Sequence, residues 1–364
     1  MDSARIAFGG LLAFLVACGG GVDTTSTSDP VAPPERPAAQ GTYVPPAATG
    51  PERVADGLGA PSAMAMTADA VLFTTRTTAL GGELVEAGGL FVANKRIATP
   101  LMLALDHQGA SYEALVTDGT TAFVATSDAR VLAVPVVGGT PRVVAALAEP
   151  PVALTVNGDY VYFATDAGAL ARVAKRGGAI EPLATVAGAV RGLQADEAAV
   201  YVATGAGKET AAGIVRVALD GTVSTLASSA QPCAMIRDGR SLYWTNVAVA
   251  TTADTPGKGE ILRLALDHEG PAATVASGSF SACAIAADQD SLYFATTVPS
   301  ALPVKSGGRA TSSSGLGLMR APIAGGEPVA VAQASRALAQ PGAVAVDATH
   351  VYWLTETAVL RLHK

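Results

Sequence analysis

Four stretches decide the fold: VYFAT (161–165), VYVAT (200–204), LYWTN (242–246) and LYFAT (292–296). Each is a short β-branched and aromatic run, which is strand composition. Three more segments fit the same frame, VLFTT (71–75), AFVAT (122–126) and VYWLT (351–355). The aromatic column reads Phe73, Phe123, Tyr162, Tyr201, Tyr243, Tyr293 and Tyr352, with spacings of 50, 39, 39, 42, 50 and 59 residues. Five residues before it stands Asp118, Asn157, Asp196, Asp238, Asp288 or Asp347, and only Ala68 departs. Positions 118–119, 157–158 and 238–239 read Asp-Gly or Asn-Gly, a tight hairpin signal.

Working outward, each hairpin is preceded by an apolar strand, such as EALVT (113–117) or CAIAA (283–287). A second strand pair follows around a turn, as in VLAVPVVGGTPRVVA (131–145) and GIVRVALDGTVSTLA (213–227). Four strands at a period near 40 predict one blade of a β-propeller per repeat. Seven repeats predict an all-β domain of seven four-stranded blades over residues 51–364, with six or irregular blades as the alternative. The last repeat carries three strands up to Lys364, and Glu52-Arg53-Val54-Ala55 reads as its fourth, closing the ring. Nine residues before the aromatic lie Met64, Ala114, Ala153, Gly192, Ala234, Ala284 and Ala343, small residues expected to face a crowded axis.

The N-terminal part reads differently. Ile6 to Ala17 is a 12-residue apolar run, too short to span a bilayer. It precedes Leu15-Val16-Ala17-Cys18, which resembles the lipobox of bacterial lipoproteins. That resemblance implies a signal peptide over residues 1–17 and a lipidated Cys18. It implies a bacterial cell-envelope address, anchored through lipid alone, with Gly19 after the Cys favouring the outer membrane. Residues 18–50, rich in Gly, Ser, Thr and Pro, are expected to be a disordered tether.

LYWTN is similar to the YWTD motif of receptor propellers, and the repeat pattern resembles TolB-like bacterial propellers. Asn246, Thr126, Thr165, Thr204, Thr296 and Thr355 stand where the receptor family has a fixed Asp, so its ligands are not carried over.

The net charge of −7, with Lys and Arg scattered, argues against nucleic acid. Gly205-Ala206-Gly207-Lys208-Glu209-Thr210 lacks the spacing of a phosphate loop. His107, His268, His350 and His363 are in no metal-ligand spacing, and Asp288-Gln289-Asp290 coincides with a hairpin turn. No catalytic residue, metal or cofactor is expected, and a monomer is.

Long connections after the aromatic strand include 77–88, 247–259 and 297–317, the last with Lys305 and Arg309. They share a face with the starts of the innermost strands, where Glu113 and Arg191 stand against Ala63, Val152, Cys233, Cys283 and Gly342 elsewhere. Glu113, Arg191, Lys305 and Arg309 are thus the candidate binding face, since function concentrates on loops held by a rigid scaffold. Cys233 and Cys283 are equivalent positions of adjacent blades. Export would permit a disulfide between them, and burial as two small apolar residues is the alternative. The expected role is a non-enzymatic binding module for an envelope protein or glycan. A polymer-acting hydrolase or lyase assembled across blades, and a structural envelope subunit, are the alternatives.

Overall fold

The structure, a computed structural model, describes residues 50–80, 83–86, 88–95, 97–105, 109–207, 210–247, 258–268, 270–298, 315–333 and 343–364. Cys18, the segments 1–17 and 18–49, Lys305, Arg309, Gly342 and His107 lie outside them.

Seven four-stranded antiparallel sheets make the domain, and no helix occurs among the described residues. Blade 2 shows the pattern: Tyr112–Thr117 innermost, then Thr121–Thr126, Arg130–Pro135 and Arg142–Ala146 outermost. Blades 3 to 6 begin at Pro151, Val190, Pro232 and Ser281 and repeat that order. Blade 7 takes Val344–Val346, His350–Leu354 and Val359–His363 from the C-terminal end. Its outermost strand is Glu52–Ala55, so the ring closes as the sequence predicts. Arg361 fastens that seam, donating to the Glu52 carboxylate at 2.6 and 2.8 Å and to the Lys95 carbonyl. Blade 1 holds the insertion, a two-stranded ribbon of Thr78–Leu80 and Glu83–Glu86 between its second and third strands.

Burial follows the period of two. Alternate side chains of each inner blade surface face opposite neighbours. Phe123 and Ala125 join Leu154 and Phe163 between blades 2 and 3, whereas Ala122 and Val124 join Leu72 and Leu90 between blades 1 and 2. Seven such clusters fill the seven gaps.

Blade 1 corrects the sequence alignment by one residue. The hairpin turn that Asp118 or Asp196 closes elsewhere is closed here by Thr67, whose Oγ1 accepts from the Ala70 amide at 3.0 Å. Leu72, not Phe73, therefore occupies the repeated aromatic position and faces blade 2. Phe73 faces blade 7, in the second column with Phe163, Trp244, Phe294 and Trp353. A one-residue slip exchanges the two faces of a strand, and the aromatic ring at 73 disguised it. With the slip removed, Ala63 replaces Met64, and the small column contains only Ala and Gly. That column does not face the axis. A Cβ on Gly192 would lie 3.1 Å from the Met235 Cβ of blade 5, so smallness serves close packing against the next blade's inner strand.

Candidate functional site

The innermost strand of each of blades 1 to 6 has one more residue near its start than its partner can pair. In blade 2 the register steps between Tyr112↔Thr126 and Ala114↔Ala125, leaving Glu113 without a ladder partner. Val152, Arg191 and Cys283 are bypassed identically in blades 3, 4 and 6. In blades 1 and 5 the irregularity lies between Pro61 and Met64 and between Pro232 and Met235, where Ser62 and Cys233 are the equivalents. A β-bulge bends its strand and re-aims a side chain. Six bulges at one level place six side chains, of five residue types, around one mouth of the ring. Counting back five from each turn residue gives five of the six members from sequence; the bulge itself, and Ser62 as the sixth member, come from the strand pairing.

Buried hydroxyls hold two of the bulges: Thr74 and Thr245 accept from the amides of Ala63 and Ala234 at 3.1 and 3.2 Å, while Thr296 accepts from the Ser281 amide just before the blade 6 bulge. Thr126 and Thr165 instead accept from the amides of Arg130 and Ala169, closing the turns to the third strands. At these two sites the Thr hydroxyl thus supports backbone.

The column is chemically uneven. Glu113 is bound by Arg76 of blade 1, Nε to carboxylate at 2.9 Å. Val152 is 43% exposed, an apolar side chain open to solvent on an innermost strand. Arg191 is exposed and makes no hydrogen bond or ion pair among the described residues. Its Nε passes 3.4 Å from the point where a Gly205 side chain would begin. Cys233 and Cys283 form a disulfide, with Cα atoms 5.0 Å apart. The bond joins equivalent bulge positions of adjacent blades, so the two cysteines are not buried as separate small apolar residues. The structure thus brings Glu113 and Arg191 to one rim, two blades apart.

The opposite face carries a cleft of about 960 Å³ between blades 7 and 1, lined by Thr67, Asp69, Lys95, Asp347, His350 and Arg361. Its cations are committed: Lys95 pairs with Asp347 at 2.9 Å, and Arg361 with Glu52. Burial would raise the Asp347 carboxyl, but the Thr349 amide, Lys95, the His350 amide and the Tyr352 hydroxyl together hold it well below the usual carboxylate range. Tyr352 is pushed up to about 12 by burial and by Asp347. Such an arrangement stabilises the seam. Among the described residues no group of three His, Cys, Asp or Glu side chains is placed to hold a metal.

No protein-family model and no characterised relative matches the sequence. Solved structures match the fold. A chain of a mitotic checkpoint complex is 13% identical with a TM-score of 0.60, over 90% of this chain and 98% of that one. A YCF48 with a bound D1 peptide is 12% identical with a TM-score of 0.58, over 86% and 95%. The computationally designed protein Ika8 is 13% identical with a TM-score of 0.53, over 86% and 100%. At these identities the likeness establishes a seven-bladed β-propeller and no more.

Proposed function

We propose that the protein is a lipid-anchored envelope lipoprotein whose propeller is a non-enzymatic binding module, with the bulged rim as its recognition surface. One observation carries this reading. Turns, aromatic columns and small columns repeat around the ring, yet the bulged positions carry Ser, Glu, Val, Arg and two Cys. Variation in one half-exposed column of a repeated scaffold is a way to place binding diversity on a rigid frame. The inserted connections at 77–88, 247–259 and 297–317 arise on the same face. A peptide-bound propeller among the structural neighbours supports a protein partner. The lipobox-like segment ending in Cys18 supports the anchor.

Two experiments test the two halves. A fatty-acid analogue fed to cells should label the wild type and not Cys18→Ser; equal labelling removes the anchor. Envelope partners captured by the wild type should be lost with Glu113→Ala/Arg191→Ala or with 298–314 shortened, at unchanged thermal stability. Recovery of the same partners by both variants moves the site elsewhere.

A further inference from the structure

The rim has a polarity that its overall composition hides. The chain carries a net charge of −7, yet the bulged column's unpaired charge is positive. Its one carboxylate, Glu113, is held by Arg76, while Arg191 has no partner among the described residues. On one side of Arg191 around the ring stands Val152, 43% exposed, and on the other the Cys233–Cys283 disulfide, whose two residues are half-buried. Four consecutive blades therefore present an apolar side chain, a free guanidinium and an apolar sulfur bridge. The innermost strands beneath them pair on one side only, leaving their other edges along the axis.

We infer that this arc, Val152, Arg191 and the disulfide, is a subsite for an extended peptide bearing a carboxylate between apolar side chains. A guanidinium binds a carboxylate through two parallel hydrogen bonds, and Arg is preferred to Lys where that planar geometry matters. The flanking valine and sulfurs take the neighbouring apolar side chains, and the rim lowers water access around the ion pair, strengthening it. An extended peptide also offers backbone groups to unpaired strand edges. The bulged column carries no aromatic side chain on which a sugar ring could stack. Peptide is therefore favoured over an acidic glycan.

The inference rests on the binding-module reading and is tested separately from it. Fluorescein-labelled heptapeptides with a central Asp flanked by Val or Leu, and their Asn counterparts, are titrated against the full chain in detergent, with an oligogalacturonate as a third probe. The Asp peptides should bind at least tenfold more tightly than the Asn peptides. Arg191→Ala should abolish that preference, Arg191→Lys should retain part of it, and Lys258→Ala, a cation of the same face, should leave it intact. Equal binding of Asp and Asn peptides, an Asp preference that survives Arg191→Ala, or binding of the oligogalacturonate alone overturns the subsite. If envelope partners are still captured through the rim while no Asp peptide binds, this inference fails and the binding-module reading stands.

Discussion

The two faces of the ring hold adjacent blades together by different means. On the hairpin-turn face the fastening is ionic and repeated. The turn carboxylates of blades 2, 6 and 7 each receive a lysine lying just past the third strand of the following blade. The pairs are Asp118–Lys175 at 2.9 Å, Asp288–Lys364 at 2.6 Å and Asp347–Lys95 at 2.9 Å. Blades 4 and 5 use a longer variant, Asp196–Arg237 at 3.7 Å. On the mouth face the strands bulge, insertions leave the blades, and the described cross-blade fastenings are of mixed kinds: one ion pair, Arg76–Glu113, one disulfide, and hydrogen bonds such as that from the Ser62 hydroxyl to the Tyr112 carbonyl at 2.6 Å. The difference teaches that rim chemistry here is free to vary because packing and the far-face pairs maintain the ring.

Removing the interior common to both faces should produce the largest effect. Trp244 is fully buried between blades 4 and 5 and donates to the Ser229 hydroxyl at 3.0 Å. Trp244→Ala should cost about 3–5 kcal/mol in urea unfolding, as for other large core truncations. A loss near zero would mean that the gap between these blades is loosely packed.

The disulfide comes next, and it tests whether the mouth face needs a staple. It joins residues 50 apart. A loop of that length predicts about 2–4 kcal/mol of stabilisation, chiefly through the unfolded chain. Reduction, or Cys233→Ser with Cys283→Ser, should lower the urea midpoint accordingly. An unchanged midpoint would place all the holding force on the opposite face.

The ionic face should fail in acid. Burial raises the Asp118 carboxyl, but Lys175 and the amides of Thr121 and Thr120 outweigh it and hold the group at about 2. A carboxylate depressed on folding contributes its full stabilisation above its unfolded value near 4, and loses it as pH falls from there through 2. Asp288 and Asp347 are depressed by the same kind of contact and act in the same direction. Urea midpoints should therefore drop below pH 4. Asp118→Asn should remove about 1–2 kcal/mol at neutral pH and flatten part of that acid slope. A slope identical to wild type would show that the lysine pairs do not couple the blades.

Smallest of all should be the stability effect of the rim itself. Arg191→Ala and Val152→Ser touch no buried packing, so each should stay within about 0.5 kcal/mol of wild type. A loss above about 1 kcal/mol would make the rim structural and dissolve the contrast between the faces.

Much of this was legible because it is periodic. The turn residue, the aromatic position and the Gly-rich outer turn recur often enough to count blades, and the Glu52–Ala55 strand was legible as the closing piece. The slip in blade 1 shows the limit of matching residue types. Phe73 looks like its counterparts, but Thr67 closes the turn with a hydroxyl where other blades use a carboxylate, so the true register runs through Leu72. Lys95, Lys175 and Lys364 stand at equivalent places in the chain, and their partners lie in the preceding blade. Knowing the blade order makes the pairs visible; inspecting one repeat does not.

What the sequence determined by itself is therefore the strand period, the repeat, the blade count and the way the ring closes. All of these follow from local patterning of apolar, aromatic and turn residues. What tertiary structure decided is where the repeat breaks to make a surface. A bulge is defined by a strand and its partner together, since one extra residue has meaning only against the residues it fails to pair. The joining of Cys233 to Cys283, the engagement of Glu113 by Arg76 and the lack of a partner for Arg191 among the described residues were likewise settled only when neighbouring blades were brought side by side.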